Sequence, residues 1–288
     1  LRSLTFQHMM ENKTVHIGEG ELIVGERGPG PQQTPTYPEL CCHSLEDFHV
    51  IHNREKISFS VSEEAREIQK NEIIPYWSGR SIRDKLFDAM SPEWKECYQA
   101  GIFTEFMEQR APGHTVADDK IYNKGFLDFK DELEESLSNL DFFEDPEAYD
   151  KQEQLKAMII CADAIITFAQ RHGKLALELA NKESDPRRKK ELEKMADISL
   201  RVPAHKPRNF WEALQTYWYV HLGVITELNT WDSFNPGRLD QHLYPFYKKD
   251  IEEGVLTREQ AKELLQCFWI KFNNQPAPPK VGITLAES

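Results

Sequence analysis

Apolar positions recur with a helical period along most of this chain, and the exceptions stand out against that background. The first 14 residues predict a helix. Val15 to Gly25 then departs from it, with β-branched residues on either side of Gly18-Glu19-Gly20, and predicts a short hairpin. Residues 26–45 are rich in Pro, Gly and Gln and predict a loop, of a length that usually serves function or packs against something. Helices dominate from about Ser62 to Leu200. Ser62-Glu63-Glu64 starts one with acidic residues in its first turn, and Ser91-Pro92-Glu93 starts another with proline at the first helical position. Between Lys151 and Lys182, Leu155, Met158, Ile159, Ala162, Ile165, Ile166 and Ala169 form one apolar stripe on a long helix. Asp185-Pro186 opens a highly charged helix, and residues 208–227 are apolar and aromatic on most faces, the mark of a buried one. Thr257 caps a last helix that reaches about Phe272 and ends at Gln275-Pro276-Ala277-Pro278-Pro279. Val281 to Leu285 reads as an opening strand, whose partners would lie in further sequence.

Composition narrows the class. The 288 residues are 40% hydrophobic, enough for one large domain or two small ones. A formal net charge of −13 gives no electrostatic reason to bind nucleic acid, whose phosphates would repel it. Five cysteines, Cys41, Cys42, Cys97, Cys161 and Cys267, follow no regular spacing and form no C-x-x-C pair. That argues against a disulfide framework, a zinc ribbon or a ferredoxin-type cluster, and for a reducing compartment. No stretch approaches the roughly 20 apolar residues of a membrane span, and the N-terminus has no signal-peptide pattern. The expected setting is cytoplasmic. The absence of a starting Met suggests missing sequence upstream.

Three stretches resist a reading as generic scaffold: Ile23-Val24-Gly25-Glu26-Arg27-Gly28 with Pro35-Thr36-Tyr37-Pro38-Glu39; Thr104 to Thr115, which includes Gln109-Arg110-Ala111-Pro112-Gly113-His114; and Glu227 to Gln241, which includes Asn235-Pro236-Gly237-Arg238-Leu239-Asp240-Gln241. Val202-Pro203-Ala204 and Leu243-Tyr244-Pro245-Phe246-Tyr247 fall in matching order. Together they resemble the glycyl-radical enzymes of the pyruvate formate-lyase-like type across essentially the whole chain. The second stretch and Phe272 to Pro279 are narrower, and are most similar to the dehydratases of trans-4-hydroxy-L-proline.

The resemblance implies an α/β fold: residues 1–288 would be the N-terminal, helix-rich part of a ten-stranded barrel, a partial pyruvate formate-lyase-like domain. It implies no cofactor bound by this stretch. A radical on a glycine near the C-terminus of the whole protein would be installed by a partner activase that uses S-adenosylmethionine and a 4Fe-4S cluster. That glycine, the cysteine that receives the radical and a proton-handling glutamate all fall beyond Ser288 in the family's order, so activity of these residues alone is not expected. A homodimer is also implied.

By the same resemblance, Asp232 accepts hydrogen bonds from the ammonium or hydroxyl of a small-molecule substrate. His114 contacts substrate and can help protonate a departing hydroxyl, a task that suits a group titrating near neutrality. Phe106 lines the pocket wall. Each has a plainer alternative: a turn-forming Asp, a core histidine and ordinary packing. Arg238 and Asp240 read as an ion pair tying a turn to the barrel, and Arg110 as an internal ion pair or a carboxylate grip. Cys41 and Cys42 read as structural, Glu26 and Arg27 have no assigned role, and His205, His221 and His242 are too scattered to propose a metal site.

The implied activity is dehydration of trans-4-hydroxy-L-proline to 1-pyrroline-5-carboxylate. The alternatives are another C–X lyase on the same scaffold (isethionate, choline or diol), a pyruvate formate-lyase-like acetyltransferase, or a non-catalytic fragment or interaction module. Isethionate cleavage calls for an anion-binding group where Phe106 stands. Choline cleavage calls for a carboxylate near His114.

Overall fold

The computed structural model describes residues 1–33, 45–55, 58–80, 82–103, 117–227 and 236–274, apart from the side chains of Asp47, Ile82 and Arg83. Among them the helices are α1 (Arg2–Asn12), α2 (Leu45–Asn53), α3 (Glu63–Ile68), α4 (Ile74–Trp77), α5 (Ile82–Ala89), α6 (Pro92–Gln99), α7 (Lys120–Asn123), α8 (Phe126–Ser138), α9 (Ala148–Lys182), α10 (Pro186–Arg201), α11 (Phe210–Glu227), α12 (Leu239–Glu252) and α13 (Arg258–Asn273). A π-helical turn, Gln69–Ile73, joins α3 to α4. The chain divides into two compact units, one of residues 1–26, 115–227 and 234–273, the other of residues 27–114, 228–233 and 274–288.

Helix starts follow local chemistry. Ser62 and Ser91 accept hydrogen bonds from the amides of Ala65 and Trp94, and Asp185 accepts from Arg187 and Arg188. Each removes an orphan donor from a first turn. Thr257 and Gln260 cap reciprocally: Gln260 N donates to Thr257 Oγ1 and Thr257 N donates to Gln260 Oε1.

In the first unit α9 packs against α1, α8 and α10, and α11 touches α7, α9, α10, α12 and α13. Helix α11 is the centre of this core. Ala213, Leu214, Trp218, Tyr219 and Leu222 are fully buried on it, with Phe168 of α9 and Phe268 of α13 equally so. The α9 stripe is buried from Ala162 onward, while Met158 is 45% exposed. The second unit has its own small core of Phe48, Ile51, Phe59, Val61 and Ala65. There the Phe59 amide donates to the Ile51 carbonyl, and Gln33 and Ser60 form a parallel bridge.

The predicted hairpin over Val15 to Gly25 is absent. Among the described residues no strand forms, and this segment runs as irregular chain. Its backbone bonds go to helix side chains instead. Gln215 pairs with Val24 as another strand would, accepting from its amide and donating to its carbonyl, both at 2.9 Å. Trp211 Nε1 donates to Leu22 O, Trp218 Nε1 to Gly25 O, and Arg188 to the carbonyls of Gly18 and Glu21. Leu22, Ile23 and Val24 are buried. The β-branched residues that suggested a strand are apolar because α11 covers them. The strand expected over Val281 to Leu285, and with it the expected barrel, lies outside the described residues.

Candidate functional site

Phe106, His114 and Asp232 lie outside the described residues, as do Cys41, Cys42 and Arg110. What the structure describes is the chain on either side of them. Helix α11 ends at Glu227, and α12 begins at Leu239. Ala117 and Asp118 both take left-handed backbone, φ +56° and +49°. Residues with a β-carbon avoid that region at roughly 1–2 kcal/mol each. His242 Nε2 of α12 lies 3.3 Å from Asp118 Oδ1, and the His242 ring stands 5.3 Å from that of Tyr122. Arg238 and Asp240, expected to pair, are both exposed at the start of α12, and no ion pair joins them among the described residues. The Pro-Gly turn presents them to solvent rather than to each other.

A buried ionic cluster escapes the sequence reading. Lys271 of α13, 2% exposed, places Nζ 2.5 Å from Glu21 Oε1 and 2.6 Å from Glu26 Oε1. Lys13 Nζ donates to the Glu26 carbonyl at 2.7 Å. Two carboxylates on one ammonium, almost free of water, fix the Ile23-Val24-Gly25-Glu26 stretch to α13 with charge-assisted bonds. A signal for this exists in the sequence. Ala261, Leu264 and Phe268 form the buried stripe of α13, and Lys271 continues it at the next i+3 position. Gly25 is needed where this stretch turns, because its φ is +115° and a β-carbon there would come within 2.6 Å of Leu222 Cδ1.

Two histidines are buried for packing. His221 stacks on Trp218 and meets the Tyr217 hydroxyl at 3.1 Å through Nδ1, and burial pushes its pKa down to about 4. His172 Nδ1 bonds the Phe168 carbonyl, and desolvation lowers its pKa to about 3. Both are therefore neutral imidazoles at neutral pH. Burial also raises the Tyr217 and Tyr122 hydroxyls above the usual tyrosine range. His205 is exposed. Among the described residues no group of three His, Cys, Asp or Glu side chains could hold a metal ion, and no helix is long and apolar enough to cross a membrane.

Comparison with known proteins gives this arrangement a context. The chain is 58% identical over all 288 residues to trans-4-hydroxy-L-proline dehydratase of Clostridioides difficile, spanning 36% of that protein. Its structure matches that of hydroxyproline dehydratase from the same organism, solved with trans-4-hydroxy-L-proline bound, with a TM-score of 0.91 over 100% of this chain and 36% of the other. The B12-independent glycerol dehydratase of Clostridium butyricum, 30% identical, matches with a TM-score of 0.83 over 95% of this chain and 34% of its own. Isethionate sulfite-lyase of Oleidesulfovibrio alaskensis is 36% identical over 92% of this chain and 33% of its own length. The chain thus spans about a third of the length of these relatives. The sequence model of the family described as pyruvate formate lyase-like matches residues 1–288, and the chain belongs to that family.

Proposed function

We propose that the whole protein is a glycyl-radical C–O lyase that dehydrates trans-4-hydroxy-L-proline to 1-pyrroline-5-carboxylate. The observation that carries this reading is the 58% identity to a dehydratase of that substrate over all 288 residues. Identity to an isethionate lyase over nearly the same stretch is 36%.

On this reading residues 1–288 form the helix-rich start of the barrel, and the radical glycine and thiyl cysteine belong to the part of the protein beyond them. Hydrogen abstraction beside the ring nitrogen is followed by loss of the neighbouring hydroxyl as water. Return of a hydrogen atom leaves 1-pyrroline-5-carboxylate, which is the substrate less one water. Asp232 binds the substrate ammonium or hydroxyl, since a carboxylate in a low-dielectric cavity pairs strongly with a cation. His114 supplies the proton to the departing hydroxyl. Phe106 packs against the apolar edge of the ring. The activase, a homodimeric assembly and a cytoplasmic setting complete the reading.

The test uses the full-length protein, activated anaerobically with its activase and S-adenosylmethionine. Trans-4-hydroxy-L-proline should give 1-pyrroline-5-carboxylate, detected by mass spectrometry. Asp232→Asn and His114→Gln should each lower kcat/KM by about a hundredfold or more while the glycyl radical still forms. Sulfite release from isethionate without hydroxyproline turnover would overturn the reading. So would a full radical signal with neither product.

A further inference from the structure

An aromatic turn precedes α9, and it stands in water. Phe143 is 99% exposed and Tyr149 71%. The turn is nonetheless built. Asp141 Oδ1 accepts from the amides of Phe143 and Glu144 at 2.9 and 3.1 Å. The Phe142 ring meets that of Tyr149 edge-on at 5.1 Å, and Asp145 pairs with Lys151 at 2.7 Å. Phe143 is thus held out to solvent on a fixed backbone, which lowers the ordering cost of binding through it. Five carboxylates surround it in sequence, Asp141, Glu144, Asp145, Glu147 and Asp150, against the one ammonium of Lys151.

A groove of about 500 Å³ has the complementary character. Leu22, Trp211, Leu256 and Leu264 give it an apolar floor, and Arg187, Lys190 and Lys194 of α10 line its side. Its carboxylates, Glu191 and Glu263, both lie against Arg187, at 3.1 and 3.7 Å. Lys194 meets the exposed Asp197 at 3.6 Å, a contact of little weight. The groove therefore offers an apolar seat beside ammonium groups. Helix α9 spans 35 residues, about 52 Å of helix, and α10 starts at Pro186, four residues beyond its end. Phe143, at the other end, cannot fill the groove of its own molecule.

We propose that a second copy of this chain fills it. Phe143 of one molecule seats its ring on the apolar floor of another, and the carboxylates around it lie beside Lys190 and Lys194. Charge selects this occupant. Two molecules of net charge −13 repel each other, and an acidic turn against a basic rim reverses that repulsion where they touch. A two-fold axis that sets the two α9 helices antiparallel makes the contact twice and closes the pair. The inference deepens the homodimeric assembly of the proposed function, and rests on it, by naming the surface that forms it.

The test uses the full-length protein in analytical ultracentrifugation. Phe143→Asp, at an exposed position, should raise the dimer dissociation constant about thirtyfold or more. Lys190→Glu and Glu144→Lys should each weaken the dimer, and the double variant should recover part of the loss. With Phe143 replaced by photoreactive benzoylphenylalanine, in a mixture of ordinary and isotopically heavy protein, the cross-link should fall on residues 187–194, 211 or 255–264 of the other molecule. A dimer as tight in F143D as in the unaltered protein overturns the surface and leaves the homodimeric reading standing. A cross-link confined to one molecule, with further chain seated on Phe143, does the same. A monomeric unaltered protein overturns both. Hydroxyproline turnover, measured on the same samples, judges the dehydration reading separately.

Discussion

Lys271 and Glu26 are each almost wholly enclosed, at 2% and 1% side-chain exposure. Lys271→Met withdraws the ammonium that Glu21 and Glu26 share, and breaking a buried ionic contact costs about 3–5 kcal/mol in comparable pairs. Lys271→Met should therefore lower the unfolding free energy by that order in denaturant titration. Glu26→Gln, which keeps a hydrogen-bond acceptor for the ammonium, should cost less. A result within about 0.5 kcal/mol for K271M, the range of an ordinary surface substitution, would show that the cluster is not the anchor its geometry implies. Gly125 makes a second demand at this scale. A β-carbon there would lie 2.3 Å from Ala204 O and 2.4 Å from His205 Cα, main-chain atoms that cannot swing aside. Gly125→Ala should destabilise by at least the ~1–3 kcal/mol of overpacking, read as a drop in the thermal midpoint.

Among the elements, the segment from Gly18 to Gly25 depends most on side chains from elsewhere. Gln215→Leu strips a buried amide and a buried carbonyl of their partner in one change. An unsatisfied buried group costs about 1–3 kcal/mol, so a loss near 2–5 kcal/mol is expected in urea unfolding, with faster exchange of the Val24 amide. The reason this segment misleads as a sequence also lies here. Val15, Ile17, Ile23 and Val24 have strand chemistry, but sequence shows only that they want burial and an extended backbone, and Gln215 meets that need 191 residues away. Helix starts were legible because capping is local: Ser62, Ser91, Asp185 and Thr257 act within three residues of themselves. Glu26 and Lys271 were not, because a buried charge reads as surface until its partner is known. The Asp118–His242 contact shares that blindness, as it joins residues 124 positions apart in sequence.

At the scale of the molecule, acidity should act through two histidines. His172 and His221 have folded pKa values near 3 and 4, below the ordinary 6.5. The stability held by their neutral forms is fully present above pH 6.5. It is lost as the pH falls below that, because the unfolded chain then takes up protons that the folded one refuses. Each contributes a slope of about 1.4 kcal/mol per pH unit, and the loss ends near each folded pKa. Urea unfolding between pH 7 and 5.5 should show this decline, and His221→Gln should reduce its slope by about half. The net charge of −13 diminishes over the same range toward the isoelectric point near 5.3, which relieves self-repulsion and works in the opposite direction. An identical slope in His221→Gln and the unaltered protein would mean that this imidazole is reached by water.

Arg188, Trp211, Gln215 and Trp218 grasp the main chain of the segment before Glu26 while its Leu22, Ile23 and Val24 side chains enter the core. That is how a receptor holds a peptide ligand. Residues 1–26 should accordingly behave as a tethered ligand: a protein cut within the 27–44 stretch should keep them bound without a covalent link. A peptide of residues 1–26 added in trans should restore a truncated protein that begins at Arg27.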